Sequence, residues 1–189
     1  MRICLTSLSL CVLCALHARA GTIDFTPTEG TRTLEGVVFK QLLFHQDGQT
    51  ITYEPPRGWT CTGDSSGMRL ISTETSQAQA ILQEKALPAP QVLDEATMKE
   101  LQQLSLAAVP GNATNSALVA EEKSPLKIHQ QGTYGVTVSY NLAGQDYEAN
   151  DLFVNLNNLQ LHLRTVARKA DFGKVLREVR GSLFSLAWQ

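Results

Sequence analysis

The stretch GVTVSYNLAGQDYEANDLFVNLNNLQLHLR, residues 135–164, decides the fold class of this protein. Its apolar residues alternate with polar ones, and turn-forming sequences at 143–146 and 157–158 divide it into three segments. The alternating apolar positions are Val136, Val138, Tyr140 and Leu142 in the first segment and Leu159, Leu161 and Leu163 in the third. Because successive side chains on a strand point to opposite faces, the stretch predicts an antiparallel meander with one buried and one polar face.

A β-hairpin is predicted nearer the amino terminus. Residues 37–45 are apolar and rich in strand-forming types, and residues 50–53 alternate between apolar and polar. Between them Asp47-Gly48 is the strongest short-range hairpin signal. Pro55-Pro56 ends the second strand, since proline has no amide hydrogen to donate to a ladder.

Three further strands are predicted between this hairpin and the meander. Residues 58–61 and 68–72 are two short strands on either side of a glycine-rich turn at 63–67. Residues 78–87 fit both a strand and a helix, and the closing proline Pro88 favours the strand.

Two helices complete the prediction. Asp94 is a good N-cap for the first, which Pro110-Gly111 stops, and a polar loop follows at 112–116. The residues expected along one side of this helix are Leu93, Met98, Leu101, Leu104 and Ala108. The second helix begins near Asp171, and its apolar residues at helical spacing are Phe172, Val175, Leu176, Val179 and Leu183.

The order of strands, helix, strands, helix predicts an α+β fold. Few strands are separated by crossover helices, so a doubly wound parallel sheet is disfavoured. We expect an antiparallel β-sheet with a central and a carboxy-terminal helix packed on it. No composition break divides the chain, and we predict one domain at 21–189.

The first twenty residues, MRICLTSLSLCVLCALHARA, have the layout of a signal peptide. Arg2 is a short basic region, an apolar stretch covers residues 3–16, and small residues lead up to Ala20. The apolar stretch is shorter than the roughly 20 residues that a transmembrane helix needs. We therefore predict a signal peptide at 1–20, cleaved near Ala20, and export to the periplasm or the exterior.

A lipoprotein signal is the alternative, because the apolar stretch contains Cys11 and Cys14. Leucine precedes each of them, where a lipoprotein signal has a small residue. Cleavage near Ala20 removes these cysteines together with Cys4. The mature chain then keeps only Cys61, so no intramolecular disulfide is predicted.

Charge and hydropathy exclude some classes of partner. Without Arg2 and Arg19, 14 basic and 18 acidic residues remain, which argues against nucleic-acid binding. No later apolar run is long enough for a transmembrane span. We expect an unknown protein or small-molecule partner and a monomer or weak homo-oligomer. Residues 23–25, if they form a strand, are a candidate for pairing with another chain.

The step Tyr53-Glu54-Pro55-Pro56-Arg57-Gly58-Trp59 resembles a strand-to-loop step of PsbP-like domains. A carboxy-terminal helix at 172–184 after a β-meander is similar as well. The resemblance covers residues 36–189 and is strongest to uncharacterised exported bacterial members of the superfamily. It implies an α-β-α sandwich that acts as a binding or assembly module without chemistry of its own, and it carries over no calcium, manganese or Ran site.

The remaining cysteine, Cys61, follows Trp59 by two residues and shares its face on a strand. We interpret this pair as structural core, since free cysteine behaves as a small apolar residue. A nucleophilic thiol is the alternative, and it needs a neighbouring histidine or cation that lowers its pKa. His45, His129 and His162 are all distant in sequence, and none lies in a recognisable cysteine-hydrolase pattern.

No metal or cofactor is predicted, because the mature chain has no spacing of histidine and cysteine typical of a metal site. His162 falls with Gln160 and Arg164 on the polar face of the meander, which favours a solvated sheet face over a binding groove. The acidic residues that we interpret as surface charges are Glu121, Glu122, Glu148 and Asp151.

Cations gather in the last strand and helix, while the rest of the mature chain is correspondingly acidic. They are Arg164, Arg168, Lys169, Lys174, Arg177 and Arg180. This group is a candidate partner or anion surface, although a helix with a solvated basic face explains the pattern as well.

Three functional hypotheses follow. The favoured one is an exported, non-enzymatic binding or assembly module that uses a sheet face or the basic carboxy-terminal helix. The alternative is an exported thiol-dependent hydrolase in which folding brings a histidine next to Cys61. A lipid or envelope association factor stands between these two classes.

Overall fold

The computed structural model describes residues 22–189, so the predicted signal peptide lies outside the described residues. The elements, in order, are β1 (Asp24–Leu34), β2 (Val37–Gln46), β3 (Gln49–Tyr53), β4 (Trp59–Asp64), β5 (Gly67–Ser72), β6 (Gln79–Ala86), α1 (Glu95–Ala107), β7 (Thr114–Ile128), β8 (Gln131–Leu142), β9 (Gln145–Leu156), β10 (Leu159–Arg168), α2 (Lys169–Ser182), a 3₁₀ turn (Leu183–Ser185) and β11 (Ala187–Trp188). All the strand pairings are antiparallel.

The strands form two sheets, whereas the sequence predicts one. The small sheet has the order β1-β2-β3-β11, and the large sheet has the order β4-β5-β6-β10-β9-β8-β7. Pro55-Pro56 separates them, because the chain leaves the small sheet after Tyr53 and enters the large one at Trp59. The last strand then returns to the small sheet, where Ala187 pairs with Thr52.

The large sheet is covered on both faces, so the prediction of one polar face is wrong. One core lies between this sheet, the small sheet and α2, and includes Phe44, Leu161 and Val175. A second core lies on the opposite face, beneath α1, and includes Leu101 and Val138. The central strands are therefore buried between a helix on one side and a helix with a small sheet on the other. The predicted α+β class, with both helices packed on antiparallel sheet, is confirmed.

Local sequence signals explain the hairpin and the start of α1. Asp47 and Gly48 have φ of +49° and +78°, the left-handed conformation that a tight hairpin turn requires. Asp94 accepts a hydrogen bond from the backbone N–H of Thr97 at 2.8 Å, so it is the N-cap that the sequence predicts. Leu104, which we expected on the inner side of α1, is 47% exposed, whereas Leu101 is buried.

The amino-terminal segment, residues 23–25, packs against the rest of the chain. Ile23 and Phe25 are buried, and β1 pairs with β2. The backbone N–H of Ile23 donates to Oε2 of Glu84 on β6 at 2.8 Å. β1 is the outer strand of the small sheet and uses one of its edges to pair with β2, so pairing of residues 23–25 with another chain stays a prediction.

Candidate binding groove

A groove of about 380 Å³ opens between the start of α1 and the strands β7, β8 and β9. We call it the α1 groove. Its apolar lining residues include Val92, Leu93, Met98 and Tyr134. Its polar lining residues include Gln91, Lys123, Ser124, Gln131, Thr133 and Asn155. Small-molecule sites are mostly apolar clefts of about 300–1,000 Å³ with a few polar groups, so this groove has the size and lining of a ligand site.

One wall of the α1 groove is the segment that leads into α1. Asn155 on β9 donates from Nδ2 to the carbonyl oxygen of Gln91 at 2.9 Å. Gln91 donates from Nε2 to Oγ1 of Thr97 in the first helical turn at 3.4 Å. Gln160 on β10 donates to Oδ1 of Asn155 at 2.8 Å. Because these bonds tie the segment to the sheet and to the helix, the wall is formed before any ligand arrives.

The opposite wall is a bulge in the edge strand β7. The ladder with β8 is regular from Ala120 to Lys123 and resumes at Lys127. Between them the register shifts, and Ser124 takes a left-handed conformation with φ of +56°. Oγ1 of Thr133 donates to the carbonyl oxygen of Leu126 at 2.8 Å and accepts from its N–H at 3.3 Å, which stabilises the bulge. Bulges commonly redirect side chains, and both Lys123 and Ser124 line the groove.

Tyr134 on β8 contributes the aromatic part of the lining and is 1% exposed. Its hydroxyl donates to Oε2 of Glu121 at 2.7 Å and accepts from Nε2 of Gln102 at 2.9 Å. Burial raises the pKa of this phenol above its usual value, so the ring stays neutral near neutral pH. Tyr134 therefore offers an apolar ring held in a fixed orientation.

The α1 groove has a positive rim. Among residues 22–189, Lys123 is the charged residue of its lining, and no acidic residue lines it. None of the ion pairs within residues 22–189 involves Lys123. Glu121 lies two residues away on the same face of β7, but its Oε2 accepts from both Tyr134 and Gln102. A positive charge without a protein partner thus borders an apolar surface.

A second cavity, of about 420 Å³, lies at the other end of α1 beside Pro110. Tyr140 and Tyr147 line it, and their rings are stacked with centroids 5.6 Å apart. No charged side chain of the described part of the chain lines it. It therefore lacks the group that could orient a charged ligand.

A charged network lies beneath α1, on the sheet face that we expected to be solvated. Asp151 on β9 is fully buried, and its carboxylate accepts from Nη1 of Arg164 at 2.5 Å. Its other oxygen lies 2.7 Å from Nε2 of His162, whose ring stacks on Phe153 at 4.5 Å. Arg164 also reaches the carbonyl oxygen of Ser105 in α1 at 3.5 Å. The network connects α1 to two central strands.

The interpretation of Asp151 as a surface charge is wrong. β10 places Arg164 directly opposite Asp151 in the ladder, which gives the buried carboxylate its partner. Glu122 also has a partner, because Arg180 on α2 donates to both of its oxygens, and this bonding holds the pKa of the carboxyl below its usual value.

The Asp151–His162 pair has no attached nucleophile. Among the described residues, no serine, threonine or cysteine side chain hydrogen bonds to His162. The nearest serine of the network, Ser105, uses its hydroxyl to donate to the carbonyl oxygen of Leu101. This geometry therefore shows no protein nucleophile paired with His162 among residues 22–189.

Sequence comparison gives no relatives: no protein-family model and no curated protein matches the chain. The fold, in contrast, matches solved structures. Cyanobacterial PsbP (CyanoP) from Synechocystis sp. PCC 6803 superposes with a TM-score of 0.51 and 12% identity, over 87% of this chain and 94% of that chain. The chain has a PsbP-like fold. The resemblance that the sequence predicts is thereby confirmed.

A second solved structure also matches the fold. LpqN, described as involved in cell envelope biogenesis of Mycobacterium tuberculosis, superposes with a TM-score of 0.51 and 14% identity. The match covers 88% of this chain and 91% of LpqN. At these identities the likeness concerns the fold alone, and no functional residue is carried over from either protein.

The PsbP-like fold distributes the six predicted cations over different surroundings. Arg164 belongs to the network beneath α1, on one face of the large sheet. Arg180 lies on the other face, where it bonds Glu122 and donates to Oδ1 of Asn150 at 3.2 Å. Lys174 is 3.7 Å from Glu178 in the next helical turn. The remaining members of the group, Arg168, Lys169 and Arg177, form no ion pair with the described residues. The six therefore do not share one surface, and their role in partner binding stays a prediction.

The predicted core pair lies on β4. Trp59 is 8% exposed within the core beneath α2, and its Nε1 donates to Oε2 of Glu178 at 3.2 Å. Cys61 is half-buried against the same core, and its Sγ lies 3.9 Å from both the carbonyl oxygen of Thr62 and Sδ of Met68. No histidine is among the hydrogen-bond partners of Cys61 within residues 22–189, so the fold gives no support to a thiol hydrolase.

We expect the Cys61 thiol to react slowly in the folded protein. Burial raises its pKa to about 11, so at pH 8 the reactive thiolate is on the order of 100-fold rarer than for a free cysteine with a pKa of about 8.5. Titration with a coloured disulfide reagent between pH 7 and 9 measures this, and the urea-unfolded chain is the control. Rapid labelling of the folded protein with an apparent pKa below 8.5 would contradict the assignment.

Two further properties concern residues 22–189. No group of three or more histidine, cysteine, aspartate or glutamate side chains in this part of the chain is arranged to hold a metal ion. Within the same residues, neither helix has the length and apolar character needed to cross a membrane.

The sequence predicted the inward orientation of two residues of the α1 groove, but it did not predict a groove. Leu93 and Met98 were expected on the inner side of α1, and both line the groove. Lys123 and Tyr134 were missed, because the local sequence does not by itself predict the bulge in β7 or its partner strand. The adjoining Ser-Pro step at residues 124–125 is the one signal that points to an interrupted strand.

Proposed function

We propose that this chain is an exported, non-catalytic binding module with one α+β domain at 21–189. The α1 groove is its binding site, and the ligand is a small molecule with an apolar body. The observation that carries the proposal is a mostly apolar groove of about 380 Å³ whose walls are held by hydrogen bonds of Asn155, Gln91 and Thr133. A pre-formed groove binds a ligand without the entropic cost of ordering its walls.

Two considerations support a non-catalytic role in the cell envelope. The thiol of Cys61 is half-buried with a raised pKa, and no serine, threonine or cysteine side chain within residues 22–189 hydrogen bonds to His162. LpqN, whose fold this chain matches, is described as involved in cell envelope biogenesis. We propose the envelope as the setting of this chain as well.

Octanamide is a suitable first probe, because it is neutral and has an apolar chain. We expect the signal-free protein to bind it with a dissociation constant of about 1 mM, in keeping with the affinity of so small a ligand. Amide chemical-shift changes in NMR spectra locate the site, and they should concentrate at residues 91–98, 123–124 and 131–134.

Gln131→Trp tests the location of the site. Gln131 is the exposed first residue of β8 and lines the groove, so an indole there should obstruct it and weaken octanamide binding at least about fivefold. Gln145→Trp is the matched control, since Gln145 is the exposed first residue of β9 and does not line the groove. The proposal fails if octanamide does not bind, if Gln131→Trp binds it normally, or if the shifts centre on Tyr140 and Tyr147.

A further inference from the structure

We infer that the α1 groove selects a small carboxylate with an apolar body and that Lys123 recognises the carboxylate. This inference rests on the proposed function, because it specifies the ligand of the same groove. It adds a charge requirement that the proposed function lacks.

The charge distribution around the groove favours an anionic ligand. Lys123 has no ion-pair partner among residues 22–189, and no acidic residue lines the groove. The acids nearest to it in the chain are engaged elsewhere. Glu121 accepts from Tyr134 and Gln102, and Glu122 on the opposite face of β7 pairs with Arg180. An anion placed beside Lys123 therefore meets an ammonium group that has no ion-pair partner among residues 22–189.

The lining of the groove favours a ligand with an apolar end as well as an anionic one. Val92 is 77% exposed although it is a large apolar residue, and with Leu93 and Met98 it forms an apolar wall across the groove from β7. Covering this wall with hydrocarbon removes apolar surface from water, which is favourable. The polar groups at the cationic side include Ser124 and Gln131, which can donate hydrogen bonds to a carboxylate. A ligand that matches both sides has one anionic end and one apolar end.

The size of the groove favours a small ligand. A volume of about 380 Å³ is near the lower end for small-molecule sites, of about 300–1,000 Å³. A single charged residue in the lining matches a single negative charge. Together these features favour a monocarboxylate of modest size over a polyanion or a large polar ligand.

Octanoate and octanamide form a matched pair of probes, because they have the same chain and differ in charge at neutral pH. We expect wild-type protein to bind octanoate about fivefold more tightly than octanamide at low salt, the preference typical of one exposed ion pair. The preference should shrink when the ionic strength is raised from about 0.01 M to about 1 M, because the Debye length falls from about 30 Å to about 3 Å.

Variants of Lys123 separate charge from shape. Lys123→Met should abolish the preference for octanoate, because it removes the charge and keeps a side chain of similar shape, and it should weaken octanoate binding more than octanamide binding. Lys123→Arg should retain the preference, and it also serves if the methionine variant folds poorly. Lys127→Met is the matched control, because Lys127 is exposed on the same strand but does not line the groove, and it should change neither affinity.

The outcomes distinguish the inference from the proposed function. If both probes bind wild-type protein equally, or if Lys123→Met keeps the preference, the inference is overturned and the proposed function stands. If neither probe binds, both are overturned. A preference that only the Lys123→Met substitution removes supports the carboxylate assignment.

Discussion

Replacing Asp151 with alanine is expected to lower the free energy of unfolding by about 3–5 kcal/mol. Asp151 is fully buried and is the ion-pair partner of Arg164, whose side chain is itself largely buried. Nη2 of Arg164 already has no hydrogen-bond partner in this structure. The substitution therefore leaves a buried guanidinium without its counter-charge, and urea unfolding followed by circular dichroism measures the loss.

A double substitution separates the unpaired charge from the lost contact. Asp151→Leu combined with Arg164→Met should be less destabilising than Asp151→Ala alone, since replacing a whole buried ion pair by apolar side chains is often nearly neutral. Arg32→Met, which breaks the exposed pair of Arg32 with Glu54, is the surface control and should cost less than about 1 kcal/mol. A cost for Asp151→Ala as small as this control would show that the network contributes little.

Trp59→Ala is the second large effect, with an expected loss of about 3–5 kcal/mol in the free energy of unfolding. Trp59 is 8% exposed in the core beneath α2, so truncation removes a large apolar contact and leaves a cavity. It also removes the indole N–H that donates to Glu178. Trp188 remains as the fluorescent reporter, and far-ultraviolet circular dichroism is an independent measure of the same transition.

Trp59→Phe is the matched control for this prediction. It keeps most of the apolar volume and loses the hydrogen bond to Glu178, so we expect a cost nearer 1 kcal/mol. If Trp59→Ala costs less than Trp59→Phe is expected to cost, the side chain is not a core residue. Trp59 would then be a candidate for contact with a ligand or a partner protein.

The two charged features of the α1 side have different roles in the proposed function. The Asp151 network holds α1 against β9 and β10, and the segment before α1 forms one wall of the groove. Lys123 lies on the opposite wall and takes no part in that network. A substitution at Asp151 should therefore reduce stability first, whereas a substitution at Lys123 should change ligand preference and leave stability nearly unchanged.

Local sequence signals predicted the helix cap, the hairpin turn and the strand ends, because residues adjacent in the chain determine these features. Asp94 caps α1, Asp47-Gly48 forms the hairpin turn, and Pro55-Pro56 ends β3. The ambiguous segment at 78–87 is a strand, β6, as the following proline favoured. In each case a backbone preference acts within a few residues and needs no tertiary contact.

The strand β7 shows where local signals fail. Its sequence, TNSALVAEEKSPLKI, lacks regular alternation and contains Pro125, and we predicted a polar loop where it begins. It forms a strand of 15 residues because β8 offers an edge for pairing, and three register irregularities accommodate its sequence. The groove depends on one of those irregularities. Pairing with β8 therefore decided the site, and the local β-propensity of the β7 sequence did not.

The sequence by itself determined the antiparallel meander, the two amphipathic helices and thus the α+β class, because side-chain periodicity and turn chemistry are properties of short segments. The tertiary structure decided which surfaces are buried. α1 covers the face of Gln160, His162 and Arg164 that looked solvated, and Asp151 can be buried there because Arg164 lies opposite in the ladder. The α1 groove likewise requires residues from α1, β7, β8 and β9 together, and no local pattern encodes their meeting.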